Sequence, residues 1–141
     1  MIFLDTSVLV AGMLTVHQNH ERSLDLMEKG VRSGSAFVSV HSLAECYATI
    51  SIYPASPMMV PEYALNLIRE NVLSKFDVVE LSAKDYENAL DRVANLKLRS
   101  GAIYDALIWQ AAVKKKAKTF YTWNIGHFRR FSDGKITVRE P

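Results

Sequence analysis

Ile2-Phe3-Leu4-Asp5-Thr6-Ser7 is the stretch on which the fold turns. Three apolar residues halted by an acid and two hydroxyls read as a buried strand that ends in a helix cap. A helix is expected from Asp5 through Leu14. In open α/β sheets, ligands bind at the carboxyl ends of strands, which places Asp5 at a candidate site. Two further acids stand alone in apolar helical surroundings: Glu45 within Ser42-Leu43-Ala44-Glu45-Cys46, and Asp105 within Ala102-Ile103-Tyr104-Asp105-Ala106-Leu107-Ile108. Buried carboxylates need a partner, and three converging ones suit a shared divalent cation.

Working outward, a helix is expected over His20–Arg32, with Leu24, Met27 and Val31 on one face and Gly34 closing it. Ala36–Val40 reads as a strand, and the helix carrying Glu45 runs to about Ile52. Pro54, Ser56, Pro57 and Pro61 mark a loop before a helix over Glu62–Ser74, striped by Leu65, Ile68 and Val72. Val78–Leu81 is a strand, and Ser82-Ala83-Lys84-Asp85 a helix start. Tyr86, Ala89, Leu90 and Val93 form an expected buried stripe behind it. The helix of Asp105 is apolar nearly all round and should be central. Thr119–Thr122, a short helix over Gly126–Phe131, and a strand over Ile136–Val138 complete the chain. Strands alternating with helices predict one domain over residues 1–141, a three-layer α/β/α sandwich with a mainly parallel central sheet.

The chain has 141 residues, 49% of them hydrophobic and 23% charged, which suits a soluble domain with its own core. A single cysteine, Cys46, excludes an internal disulfide and fits a reducing cytoplasm. No apolar run is long enough to span a bilayer, and no basic segment precedes the first hydrophobic residues, so neither a membrane span nor a signal peptide is expected. The net charge of +2 hides an asymmetry. Residues 1–100 carry nine Lys/Arg against twelve Asp/Glu, whereas residues 101–141 carry eight against three. That basic end is suited either to a phosphate backbone or to the negative end of a helix.

Each acid also has a structural reading. Asp5 can cap a helix, Ser42 and Glu45 fit a capping box, and Asp105 can complement a helix amino terminus. Asn124, after the fourth strand with Thr122 beside it, can likewise be a cap or a site residue. What favours a joint role is that all four should meet at one sheet edge. Oxygen donors without clustered histidine or thiolate favour Mg²⁺ or Mn²⁺ over Zn²⁺. Such ions acidify water and neutralise phosphate charge in phosphodiester cleavage.

Four pieces in order resemble one family: Phe3-Leu4-Asp5-Thr6-Ser7, Leu43-Ala44-Glu45, Tyr104-Asp105-Ala106-Leu107-Ile108, and Thr122-Trp123-Asn124-Ile125-Gly126-His127-Phe128. The chain is similar to PIN-domain ribonucleases, especially the VapC-type toxins of prokaryotic toxin–antitoxin pairs. The resemblance implies a metal-dependent endoribonuclease acting on single-stranded RNA, with Mg²⁺ (or Mn²⁺) as cofactor. It further implies a homodimer and a cognate antitoxin as protein partner. Asp5, Glu45 and Asp105 take the metal-binding carboxylate positions. Asn124 takes a fourth catalytic position that is often Asp, where it adds no charge. Thr6 or Thr122 would hold water or phosphate, and Arg129 and Arg130 would hold RNA phosphates. Tyr104, Trp123 and Phe128 are candidates for base stacking, the last two also for the core. His127 could assist leaving-group protonation, but beside Arg129 and Arg130 it is read first as solvated, and His17, His20 and His41 receive no role.

Two other enzyme-like readings fade on the residues. A phosphate receiver wants an acidic pair after the first strand and an aspartate after a middle one. An aspartate-nucleophile phosphatase wants a second acid where Ser7 stands. A non-catalytic RNA- or protein-binding domain of the same fold is the remaining alternative.

Overall fold

A computed structural model describes residues 1–54 and 58–141. The expected loop residues Ser56 and Pro57 lie outside the described residues. Five strands, β1 (Ile2–Leu4), β2 (Ala36–Ser39), β3 (Asp77–Val79), β4 (Thr119–Tyr121) and β5 (Thr137–Arg139), form one sheet. Its order is β3-β2-β1-β4-β5 and every described pairing is parallel. The chain builds outward from β1 through β2 to β3, then returns to place β4 on the other side of β1. The order therefore reverses between β1 and β4, immediately before Asp5 and Thr122, at the crevice where open α/β sheets take ligands.

Alternation along β1 divides the core. Leu4 and Val38 face a layer made by α1 (Thr6–Met13), α2 (His20–Ser33), α3 (Val40–Ile50) and α4 (Pro61–Ile68). Phe3, Val79 and Phe120 face α5 (Ala83–Asn95), α6 (Ala102–Lys114) and α7 (Ile125–Arg129). Phe120 is fully buried, its ring centroid 5.7 Å from Phe3, 5.3 Å from Trp109 and 4.5 Å from Phe128. The three-layer parallel architecture expected from the strand–helix alternation is thus present.

Several local expectations shift. The helix expected over Glu62–Ser74 is two pieces, α4 followed by a π-helical turn over Arg69–Leu73. Its inward face is Ala64, Ile68 and Val72, while Leu65 is exposed. On α2 the buried face is Ser23, Met27 and Gly30; Val31 turns outward. Small residues set that rotation. A Cβ on Gly12 of α1 would collide with the Met27 thioether, and one on Gly30 would stand 2.6 Å from Ala36 Cβ. On α5, Ala89 is buried but Tyr86 and Leu90 are exposed, because the face turned inward is that of Asp85 and Ala89. Asp85 is buried instead, closing a capping box with Ser82 and pairing at 2.7 Å with Lys114 of α6. Strand ends move by a residue or two: Val40 already belongs to α3, Leu81 lies beyond β3, and β5 reaches Arg139.

Candidate active site

Asp5 follows β1 directly and caps α1, so its structural reading is correct as far as it goes. The side chain accepts from the Ser7 amide at 3.3 Å, the Ser7 hydroxyl at 2.6 Å and the Thr122 hydroxyl at 2.7 Å. All three bonds fall on Oδ2. Each hydroxyl is itself oriented from behind: the Trp123 amide donates to Ser7 Oγ at 3.0 Å, and the Asn124 amide to Thr122 Oγ1 at 2.9 Å. Each hydroxyl thus spends its single proton on Asp5, a chain in which each bond polarises the next. Among the described residues Oδ1 has no partner, and Asp5 lines a cleft of about 700 Å³ at the sheet's carboxyl edge. A cap needs one oxygen; this carboxylate is held by one and presents the other.

The electrostatics agree. Burial pushes the Asp5 carboxyl up from 3.8 to about 6, against the lowering by Ser7 and Thr122, and the nearby charge of Glu45 pushes in the same direction. An acid 2% exposed and close to a second acid is relieved by a cation. Glu45 differs. Burial raises its carboxyl too, but the His41 imidazole and the Thr6 hydroxyl outweigh it and hold Glu45 below its ordinary value. Thr6 Oγ1 donates to Glu45 Oε2 at 2.7 Å, and His41 Nε2 lies 3.6 Å from Oε1. The capping box with Ser42 is not formed: Ser39 caps α3, and Glu45 is its sixth residue. Beside it, burial pushes the Cys46 thiol far up, with Asp5 and Glu45 adding to the effect, so it is no nucleophile.

Asp105, the fourth residue of α6, lines the same cleft, as does Asn124. Its Oδ2 accepts from Arg130 at 3.0 Å, and His127 Nδ1 lies 3.2 Å away. Two expectations change here. His127 is not simply solvated, since it touches a site acid. Arg130 does not stand free for phosphate; it answers Asp105. Arg129 is exposed. Asn124 occupies the amino-terminal cap position of α7, yet its side chain makes no capping bond. Thr6 and Thr122 serve the carboxylates directly rather than standing free in the cleft.

The structure thus brings Asp5, Glu45, Asp105, Asn124, Thr6 and His127 to one cleft. Among the described residues no three of His, Cys, Asp or Glu stand within reach of one ion; Asp105 is drawn toward Arg130 instead. The donor chemistry nevertheless suits a hard cation: anionic oxygens, an unengaged Asp5 Oδ1 and no thiolate. Of the proposed stacking residues, Phe128 is in the core. Trp123 is partly buried, its Nε1 donating to Ser23 Oγ at 2.9 Å under the Arg22 guanidinium. Tyr104 is 52% exposed and stacks on His41 at 5.4 Å. Ser7 and His41 had no role in the sequence reading. The four-residue spacing of His41 and Glu45 was the available signal for one; nothing local marked Ser7's partner, which lies across the sheet. His17 also had none, and it lines the cleft wall.

The PIN domain family matches this chain over residues 2–133. Ribonuclease VapC40 of Mycobacterium tuberculosis is 32% identical over 122 residues, covering 84% of this chain and 83% of that protein. Among solved structures, VapC20 of Mycobacterium tuberculosis, described as a Sarcin-Ricin loop cleaving toxin, superposes with a TM-score of 0.73 at 17% identity, over 92% of this chain and 94% of that one. VapBC2 from Rickettsia felis, bound to a DNA fragment from its promoter, gives 0.70 at 22% identity over 99% and 98%. The parallel fold agrees with these matches, and the chain belongs to the PIN domain family.

Proposed function

We propose that this chain is a metal-dependent endoribonuclease that hydrolyses single-stranded RNA, and that it is the toxin of a toxin–antitoxin pair. The observation that carries the reading is Asp5. One of its oxygens is saturated by a built network, the other is left to a cleft shared with Glu45, Asp105 and Asn124. The likeness to Ribonuclease VapC40 supports the same chemistry. Asp5, Glu45 and Asp105 would hold Mg²⁺ or Mn²⁺, which acidifies water and neutralises phosphate charge. Thr6 fixes the Glu45 carboxylate, while Ser7 and Thr122 fix Asp5. Arg130 balances Asp105 until a cation takes its place, and can then turn to a substrate phosphate. His127, in the same cleft with Nδ1 3.2 Å from Asp105, would donate a proton to a leaving oxygen.

An antitoxin would oppose this by filling the cleft with a basic side chain. Met58, Val60 and, on α4, Tyr63 are exposed apolar residues and would contribute to a homodimer contact. No helix among the described residues is long and apolar enough to cross a membrane. The test is cleavage of end-labelled single-stranded RNA. Metal-dependent products with 5′-phosphate and 3′-hydroxyl ends support the reading. Cleavage that persists in EDTA, or products with cyclic phosphate ends, contradict it.

A further inference from the structure

The basic run at the end of α6 divides into two pairs. Lys114 is committed to Asp85 at 2.7 Å and to the Glu80 carbonyl at 2.9 Å. Lys115 lies 4.7 Å over the Phe37 ring. Lys116 and Lys118 have no ion-pair partner among the described residues. They line instead a pocket of about 290 Å³ at the opposite edge of the sheet from Asp5. Arg92 of α5 and Lys135 before β5 complete its charged wall. Asp133, held by Lys135 at 3.2 Å, is its one acid. Arg92 Nε is buried without a hydrogen-bond partner among the described residues, a donor that asks for an acceptor. Val113 and Ile136 provide an apolar wall. Four cations against one paired acid, with an unanswered buried guanidinium N–H, describe a receptor for an anion. The carboxyl end of α6 favours Lys116 and Lys118, but it does not account for Arg92 of α5 or Lys135 before β5 on the same pocket.

We propose that this pocket binds a backbone phosphate of the RNA strand, remote from the bond that is cleaved. The inference rests on the ribonuclease reading. Eleven residues of α6 and its end separate Asp105 from Lys116, about 17 Å at 1.5 Å per residue. Between them lies a second cleft lined by Arg130, the partner of Asp105, and Arg92, the donor of the pocket, with Asp91 and the Lys135-paired Asp133 also on its wall. Arg130 and Arg92 therefore mark a path from the acids to the distal site. The predicted consequence is length-dependent binding: a strand long enough to reach the pocket gains contacts that a trinucleotide cannot make.

The test uses the full chain carrying Asp5→Asn, so that RNA survives, with Mg²⁺ present. Binding of a labelled trinucleotide and of an RNA of about twelve nucleotides, roughly 40 Å at about 3.4 Å per nucleotide, is followed by fluorescence anisotropy. Adding Lys116→Gln/Lys118→Gln should weaken the longer RNA about tenfold at 0.15 M salt. It should lower the salt slope by about 1.4, two phosphate contacts at about 0.7 each, and leave the trinucleotide unchanged. Arg92→Gln should act in the same direction. Lys29→Gln/Arg32→Gln on α2 removes the same charge elsewhere and should change neither. Equal loss for both lengths, equal loss in the α2 control, or no loss at all overturns the pocket while the ribonuclease reading stands. If the parent binds neither RNA and the wild-type chain cleaves neither, that reading fails and the pocket with it.

Discussion

Replacing Asp5 by asparagine separates a functional acid from a mere helix cap. The asparagine carbonyl can accept the same bonds from Ser7 and Thr122, so the cap survives and only the charge is lost. In the wild type, burial lifts the Asp5 carboxyl from 3.8 to about 6. The folded carboxyl therefore holds its proton more tightly than the unfolded one. Stability falls as pH rises from about 4 to about 6, and the full penalty is present above that. At about 1.4 kcal/mol per pH unit the penalty comes to about 3 kcal/mol at neutral pH. In EDTA at about pH 7.5, Asp5→Asn should therefore be up to about 3 kcal/mol more stable than wild type. For a chain of this size that is a rise in Tm of about 8 °C. At about pH 4.5, where folded Asp5 is protonated, the same linkage leaves a gain of only about 1 kcal/mol. Urea unfolding at both pH values measures it. An Asp5→Asn protein less stable than wild type at pH 7.5 would refute the reasoning, because the charged oxygen would then be stabilising the fold by itself.

Mn²⁺ should raise the wild-type Tm through mass action, by about 2.7 kcal/mol of stability at a hundredfold excess over Kd, and leave Asp5→Asn/Asp105→Asn unmoved; differential scanning calorimetry reads both. Arg130→Gln should tighten Mn²⁺ binding by removing the cation that holds Asp105, while weakening RNA binding, which calorimetric titration and anisotropy separate. Asp85→Asn should cost about 1–3 kcal/mol in urea unfolding through loss of the Lys114 pair and part of the cap. Lys114 and the Ser82 amide hold the Asp85 carboxyl well below the usual range, so its contribution is present above about pH 4 and disappears as pH falls through that depressed value. Phe120→Ala should cost about 3–5 kcal/mol, visible in the same unfolding assay, since three aromatic rings close around it.

How much the sequence disclosed depends on the range over which each residue acts. The strand–helix alternation, the run ending at Asp5 and the apolar helix around Asp105 are local patterns, and the parallel sheet follows from them. The faces of α2, α4 and α5 were misplaced because neighbours, not propensity, set them. Gly12 and Gly30 let α2 sit close, and the Asp85–Lys114 pair joins residues 29 apart. Asp5, Glu45 and Asp105 could be named from the chain because each interrupts an apolar context, and Asn124 because it follows a strand. Their partners could not: Thr122 meets Asp5 across 117 residues, and Arg130 meets Asp105 only once α7 packs on α6. The same distance explains why the basic run looked uniform in sequence, although the fold spends Lys114 and Lys115 internally and presents Lys116 and Lys118 to a pocket.

The measurement that bears most directly on the account is cleavage of a mixed-sequence, end-labelled single-stranded RNA in Mg²⁺ or Mn²⁺. Wild type and Asp5→Asn/Asp105→Asn, purified identically, are compared with and without EDTA. The account predicts cleavage by wild type alone, abolished by EDTA. Equal cleavage by both proteins, or none by wild type under conditions where Mn²⁺ raises its Tm and a broad set of RNAs is offered, would contradict it.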